Sequence, residues 1–207
     1  MSRERHLVLL SAGLSSPSST RMLGDRMAQA SLDQLAEQGV EVKLSAYELR
    51  DYAHDVIEQL LTGFPSVELE SMMNAVYSAD GLIVVSPIFS TSYSGLFKSF
   101  ADVLDPDALA GTPVFLGASG GTARHSLALD YALRPLFSYL HADPVPTGVF
   151  AASGDWEPHS AEAVLVEQRI HRGAREFAAA VQRPAVHGSE ARNHSSDRTV
   201  LGGVRAE

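Results

Sequence analysis

The sequence predicts an α/β domain in which a five-stranded parallel sheet is covered by helices on both faces. Short apolar runs alternate along the chain with longer amphipathic segments of helical period. The run at 82–86 is continuously apolar and rich in β-branched residues, as in a strand buried on both faces. Strands that alternate with helices form a parallel sheet with right-handed crossovers, so we predict a three-layer architecture.

The amino-terminal elements follow from hydrophobic periodicity. We predict the first strand at 7–11 and the first helix at 20–38, ended by Gly39. Residues 40–47 alternate apolar and polar side chains, which predicts a second strand near an edge of the sheet. Residues 48–65 form a looser connection with a short helix near 56–61.

Capping residues and proline mark the later elements. Ser66 occupies an N-cap position, and its helix is predicted to end at 80–81. The remaining predicted elements are a third strand at 82–86, a helix after residue 95, a fourth strand at 113–117, a helix kinked or divided by Pro135, a fifth strand at 146–151 and a helix capped by Ser160. Residues 1–182 therefore form one domain, and 183–207 are predicted to be a disordered tail because they lack periodicity.

Composition excludes several classes of function. The formal net charge of −9 argues against nucleic acid or an anionic membrane as the main partner. The chain has no cysteine, and its eight histidines do not pair with carboxylates at metal-ligand spacing, so we expect no metal site. The first strand begins close to Met1 and no apolar run reaches about 18 residues, so we expect a cytoplasmic protein.

Three loops rich in glycine, serine and threonine follow predicted strands one, three and four. We call them the first loop (11–20), the second loop (87–95) and the third loop (118–122). Because ligands of such sheets bind beyond the carboxyl ends of the strands, the three loops are expected to meet at one site. For the first loop alone, an ordinary βα turn with a serine N-cap is an equal alternative, and the coincidence of three loops favours the ligand site.

The chemistry of the loops indicates the ligand. The first loop ends where a helix begins, so free N–H groups, a helix dipole and five serines between 11 and 19 suit a phosphate. It has neither the Gly-Lys-Ser/Thr ending of a triphosphate loop nor a G-x-G-x-x-G fingerprint. The second loop is apolar and aromatic, and the glycines of the third loop let its backbone approach a flat ligand. A phosphate with a planar ring describes flavin mononucleotide (FMN).

Two motifs carry a family resemblance. Residues 86–98 (SPIFSTSYSGLFK) resemble the flavin-ring loop of the NADPH-dependent FMN reductases, and residues 120–125 (GGTARH) with 130–136 (DYALRPL) resemble their fourth-strand loop and helix. The likeness covers about residues 5–182 and is greatest to the branch that supplies reduced flavin to two-component monooxygenases, as in sulfonate use. The first loop matches more loosely, because Leu14 lies near the position where many members have arginine. In the flavin-ring loop, Phe89 replaces the usual tyrosine.

The resemblance implies a flavodoxin-like fold with strand order 2-1-3-4-5, FMN as ligand, NADPH or NADH as hydride donor to flavin N5, a homodimer or homotetramer, and a monooxygenase partner. It also implies site residues in each loop. Those expected at the phosphate are Ser11, Ser16, Ser18, Ser19 and Thr20; those expected at the ring are Pro87, Ile88, Phe89, Ser90 and Thr91; those expected at its other edge are Ser119, Gly120, Gly121 and Thr122.

Hydride transfer from nicotinamide to flavin depends on the alignment of the two rings more than on acid–base catalysis, so we assign no catalytic side chain. We hypothesise that Arg124 or Arg134 binds the 2′-phosphate of NADPH, because a guanidinium suits a phosphate. The alternative is that each is a solvent-exposed arginine or contacts another subunit of an oligomer. Other functions stay open at this point. They are an FMN-bound quinone, azo or metal-ion reductase, a flavodoxin-type electron carrier, and a nucleotide-binding regulatory module without turnover.

Overall fold

The computed structural model describes residues 4–157 and 160–183. One sheet forms the central layer. Its strands are β1 (Arg5–Ser11), β2 (Val42–Glu48), β3 (Gly81–Phe89), β4 (Ser92–Tyr93), β5 (Pro113–Gly120), β6 (Asp143–Pro144) and β7 (Val149–Ala152). The order β2-β1-β3-β5 is parallel throughout, β6 and β7 both pair with the far side of β5, and β4 pairs antiparallel with β3. The predicted parallel sheet and its order are confirmed, with the predicted fourth strand at β5 and the fifth at β6 and β7.

Helices cover both faces of the sheet. They are α1 (Ser19–Glu37), α2 (Ala53–Thr62), α3 (Val67–Tyr77), α4 (Gly95–Val103), α5 (Arg134–Tyr139) and α6 (Ala161–Val181). Helices α1 and α6 pack on one face around Leu9, Met27 and Phe177. Helices α3, α4 and α5 pack on the other face, where Phe97 and Phe137 are buried. Two separate apolar cores therefore enclose the sheet, as predicted for a three-layer domain.

Serine hydroxyls begin four of the helices. The side chains of Ser18, Ser66, Ser94 and Ser160 each accept a hydrogen bond from the backbone N–H three residues later. Each bond satisfies one of the N–H groups that have no partner within the helix. The predicted caps at Ser66 and Ser160 are confirmed.

The predicted end of α3 at 80–81 is wrong, because the helix ends at Tyr77. Asp80 instead anchors the start of β1, where its carboxylate accepts hydrogen bonds from His6 N (2.8 Å) and Arg5 Nη1 (3.2 Å). Gly81 is the first residue of β3. The Asp-Gly pair therefore begins the strand rather than ending the helix.

The fifth strand is interrupted, which the prediction of one strand at 146–151 missed. Pro144 and Pro146 have no N–H to donate to a sheet ladder. The carbonyls of this stretch are bound by Arg134, whose Nη1 reaches Val145 O at 2.9 Å. Thr147 donates its N–H and its hydroxyl to the carboxylate of Glu176 at 2.7 and 2.8 Å. Val145 N still donates to Val114 O of β5 at 2.9 Å, and side chains replace the rest of the ladder between β6 and β7.

The prediction that Pro135 divides its helix is wrong, because a π-helical turn, Leu129–Leu133, runs directly into α5 and the junction residues Leu133 and Arg134 both keep right-handed helical φ and ψ angles. The wider π turn accommodates Pro135, which has no N–H to donate. The predicted tail at 183–207 lies outside the described residues, apart from Arg183. None of the helices in the described ranges is long and apolar enough to cross a membrane.

Replacing Glu176 with glutamine is expected to lower the free energy of unfolding at pH 7 by about 1–2 kcal/mol, because a charged acceptor becomes a neutral one. Burial alone raises the pKa of Glu176, but the hydrogen bonds from Thr147 and the nearby Arg172 guanidinium outweigh it and lower the pKa. The contribution is therefore complete above the unfolded pKa of about 4.3 and is lost as the pH falls through the folded pKa. Urea unfolding at a series of pH values measures both effects.

Glu58→Gln is the control, since Glu58 is exposed on α2 and its carboxylate makes no hydrogen bond or ion pair within the described residues. It should change stability little at any pH. A deficit of Glu176→Gln that stays constant well below pH 4 would contradict the assignment.

Candidate functional site

The three loops meet at the carboxyl edge of the sheet. Strand pairing places Ser11 opposite Val85 and Pro87 opposite Ser119. The hydroxyls of Thr20 and Ser119 form a hydrogen bond of 2.8 Å, and both residues are almost fully buried (3% and 4% exposed). This bond joins the start of α1 to the end of β5. The predicted convergence of the loops is therefore confirmed.

The first loop has the geometry of a small cradle. The hydroxyl of Ser11 is buried and makes no hydrogen bond within the described residues. A Cβ atom on Gly13 would lie 2.1 Å from Ser18 Oγ, so only glycine allows the loop to close so tightly. Ser18 Oγ accepts from Arg21 N at 3.2 Å, which leaves its O–H free to donate outward. Ser16 and Ser19 are exposed on the rim of the cradle.

The start of α1 favours an anion. It has no acidic residue in its first turn and carries Arg21 there, whereas α3 and α6 have Glu68 and Glu162 in the corresponding turns. A cation at a helix amino terminus opposes the helix dipole, and here Asp25 (2.8 Å) and Glu48 (3.4 Å) pair with Arg21. The backbone N–H groups of the first turn remain positive and favour an anion. The electrostatics of the first loop therefore match a phosphate.

An ionic network beside the first loop was missed by the sequence analysis. Glu48, at the end of β2, lies between Arg21 (Oε1 to Nη1, 3.4 Å) and Arg50 (Oε2 to Nη2, 2.8 Å). Arg50 Nη1 also donates to the carbonyl of Ser15 at 2.6 Å. The position of these residues in the sequence could have indicated the network. Because β1 and β2 are parallel neighbours, residues at the end of β2 lie at the same sheet edge as the end of β1.

A cleft of about 580 Å³ opens on the outer side of this network. Its lining includes Ser16, Ser18, Arg21, Arg26 and Arg50, and none of the second or third loop. Of the three loops, the cleft therefore borders only the first.

The second loop is shorter than predicted. Residues 87–89 continue β3, so Pro87 and Ile88 are buried in the sheet and offer only backbone to a ligand. Ser90 and Thr91 form a tight turn with positive φ angles of 47° and 71°, and the chain returns as β4. Phe89, 49% exposed, lies beside this turn.

Ser86 closes the base of the hairpin. Its hydroxyl accepts a hydrogen bond from Ser94 N at 3.1 Å and donates to Pro87 O at 3.0 Å. Ser94 in turn caps α4. The exposed tip at 89–91 is thus held on a rigid base, which is the arrangement a ligand platform needs.

The third loop is also partly strand, because residues 118–120 belong to β5. A Cβ atom on Gly120 would lie 3.0 Å from the ring of Phe150, so the position leaves no room for a side chain without a shift of that ring. Gly121 and Thr122 are exposed, and Thr122 Oγ1 accepts from Arg124 N at 3.4 Å. The exposed part of the predicted ring-binding segment is therefore reduced to 121–122.

The two candidate arginines have different surroundings. Arg134 is engaged within the fold: it donates to Asp130 Oδ1 (3.1 Å) and to the carbonyls of Val145 and Pro146, so its hypothesised contact with a nucleotide phosphate is not supported. Arg124 is exposed, and its guanidinium makes no hydrogen bond or ion pair within the described ranges. No group of three or more histidine, aspartate or glutamate side chains in those ranges could hold a metal ion.

Comparisons with protein families and known proteins find related sequences. The family model described as NADPH-dependent FMN reductase matches residues 6–157. An FMN reductase (NADPH) from Pseudomonas aeruginosa is 37% identical over 81% of this chain and 88% of its own length. The NADH-dependent FMN reductase SfnE from Pseudomonas putida is 37% identical over 84% of this chain and 91% of its own.

Solved structures share the fold. The crystal structure of an oxidoreductase from Corynebacterium diphtheriae is 44% identical, covers 87% of this chain and 98% of its own, and has a TM-score of 0.84. A WrbA-like flavodoxin from Agrobacterium tumefaciens, 17% identical over 86% of this chain and 97% of its own, has a TM-score of 0.57. The fold is therefore flavodoxin-like.

Replacing Thr91 with glycine is expected to raise the free energy of unfolding by about 1 kcal/mol, because glycine adopts a positive φ without the clash that a β-branched side chain meets. Chemical denaturation measures the change. Ser92→Gly is the matched control: Ser92 lies in β4 opposite Phe89, where glycine should lower stability. Equal effects of the two substitutions would contradict the role of backbone strain at Thr91.

Proposed function

The chain belongs to the NADPH-dependent FMN reductase family, and we propose that it reduces FMN with NAD(P)H and supplies the reduced flavin to a flavin-dependent monooxygenase. The observation that carries the proposal is the meeting of the three loops at one sheet edge, where the bond between Thr20 and Ser119 joins the phosphate-type cradle to the third loop and Pro87 of the second loop pairs with Ser119. The single domain of 1–182 carries this activity in our proposal, and we assign it to the cytoplasm, where reduced nicotinamide nucleotides are available.

The residues present fit FMN. We assign the phosphate to the first loop, where Ser11 has an unused buried hydroxyl and Gly13 permits the tight cradle. Ser16, Ser18, Ser19 and Thr20 would add hydroxyl or backbone donors. The ring would lie against the tip at 89–91 and the backbone of Pro87 and Ile88, with Ser119, Gly120, Gly121 and Thr122 at its other edge.

The protein's contribution is alignment. Bound FMN supplies the ring nitrogen N5 that accepts hydride from reduced nicotinamide. Phe89 offers an apolar face at the tip, and the Ser86 base keeps that face in place. A rigid platform holds two flat rings in reacting order, which removes most of the entropic cost of bringing them together. The proposal needs no side chain that gains or loses a proton.

The names of the family and of its members differ in the hydride donor, NADPH or NADH. The family description and the relative from Pseudomonas aeruginosa carry NADPH in their names, while SfnE carries NADH. We infer that Arg124 meets the 2′-phosphate of NADPH, since its guanidinium is exposed beside the third loop.

The monooxygenase partner and the oligomer rest on separate observations. The likeness over about residues 5–182 to the branch that serves two-component monooxygenases supports that partner. Large apolar side chains are exposed around the connection between α2 and α3, among them Leu61 (81%) and Phe64 (73%), and support a homodimer or homotetramer.

Oxidation of NADPH and NADH at 340 nm, with and without free FMN, FAD and riboflavin, tests the proposal. We expect turnover that depends on added FMN. An electron carrier would show no such turnover, and a reductase that retains its flavin would be purified yellow and would not need free FMN.

Gly13→Ala should raise the KM for FMN about tenfold or more, because the added methyl group displaces Ser18 Oγ from the cradle.

Arg124→Ala is expected to weaken the preference for NADPH over NADH by about tenfold, the usual scale for loss of one charged contact. The ratio of kcat/KM for the two nucleotides measures it. Arg175→Ala, an exposed arginine on α6, is the control and should leave the ratio unchanged. An unaltered ratio in Arg124→Ala would remove this residue from the nucleotide site.

A further inference from the structure

The outer part of the first loop is held by a single side chain. Residues 14–17 are exposed. In the part of the chain that the structure describes, the one hydrogen bond that joins them to other residues is that from Arg50 Nη1 to Ser15 O at 2.6 Å. The first loop therefore depends on Arg50 for the position of its rim.

Arg50 is itself oriented by charge. Its Nη2 lies 2.8 Å from Glu48 Oε2, and the other oxygen of Glu48 lies 3.4 Å from Arg21 on the first turn of α1. Glu48 is largely buried (17% exposed), so these contacts are only partly screened by water. The chain Arg21–Glu48–Arg50 links the helix start to the rim of the first loop.

Only a guanidinium can make both of these contacts together. Its flat fork carries two terminal nitrogens: Nη1 donates a hydrogen bond to the Ser15 carbonyl, and Nη2 lies 2.8 Å from Glu48 Oε2 in an ion pair that lacks hydrogen-bond geometry. A lysine ammonium would hold one partner at the expense of the other. The geometry thus makes a specific demand on the residue type at position 50.

We propose that Arg50 is a positioning residue for phosphorylated flavins: it fixes the rim of the first loop so that Ser16, Ser18 and the start of α1 face the phosphate. Arg50 acts through Ser15 and does not contact the reacting ring. The inference rests on the proposed function, because it takes FMN as the ligand. It goes beyond that function by predicting that Arg50 matters for FMN and not for riboflavin, which has no phosphate.

The test is binding of FMN and of riboflavin, followed by quenching of flavin fluorescence, for the wild type, Arg50→Ala and Arg50→Lys. We expect Arg50→Ala to weaken FMN about tenfold and riboflavin less than about twofold. Arg50→Lys should fall between the wild type and Arg50→Ala, because it keeps the charge and loses the fork. In steady-state assays the KM for FMN should rise while kcat at saturating FMN is retained.

Arg26→Ala is the matched control. Arg26 lines the same cleft, but its guanidinium lies over the ring of Trp156 (5.1 Å) and near Glu167 (3.7 Å), with no bond to the first loop. Arg26→Ala removes one positive charge from the cleft, as Arg50→Ala does, and should leave FMN affinity within about twofold of the wild type. Thermal unfolding of each variant checks that the fold is intact.

Three results would overturn the inference. They are unchanged FMN affinity in Arg50→Ala, equal weakening of FMN and riboflavin, and a loss in Arg26→Ala as large as that in Arg50→Ala. If the wild type itself bound no FMN, the proposed function would fail as well. Wild-type binding of FMN with any of the three results would refute the role of Arg50 alone.

Discussion

A buried hydroxyl pair sets the geometry of the candidate site. The parallel sheet brings the ends of β1, β3 and β5 to one edge, and the hydrogen bond between Thr20 and Ser119 ties helix α1 to the far strand across that edge. In a low-dielectric interior such a bond is costly to break, because each hydroxyl would then lose its partner. The first and third loops consequently hold a fixed separation, on which the binding of a long, flat ligand with a terminal phosphate depends.

Rigid and strained elements are combined at this edge. The cradle of the first loop needs a glycine at position 13, and the tip of the second loop places Ser90 and Thr91 at positive φ without glycine. Backbone strain of this kind persists where the surroundings over-determine it, and here the Ser86–Ser94 bond supplies that constraint. The strained tip thus leaves Phe89 half exposed, on a different loop from the polar cradle.

The fold was predictable because its signals are local. Periodicity located the helices, serine caps located the starts of α3 and α6, and the apolar run at 82–86 identified a central strand. The loop boundaries were not predictable, since residues 87–89 and 118–120 extend their strands only through pairing with neighbouring strands. Arg50 and Arg134 were missed or misjudged for the same reason: their roles depend on carbonyls that the fold brings close, 35 residues away along the chain for Arg50.

The interrupted strand at β6 and β7 has a consequence for how molecules of this protein meet one another. An outermost strand with free N–H groups invites a strand from another molecule to add to it, which begins aggregation. Pro144 and Pro146 have no such groups, Val145 N donates to Val114 O, and Glu176 accepts the N–H of Thr147. Arg134 binds the carbonyls of Val145 and Pro146. This edge of the sheet therefore offers few free groups for β-pairing with another molecule. The protein is thus protected at this edge against aggregation at high concentration.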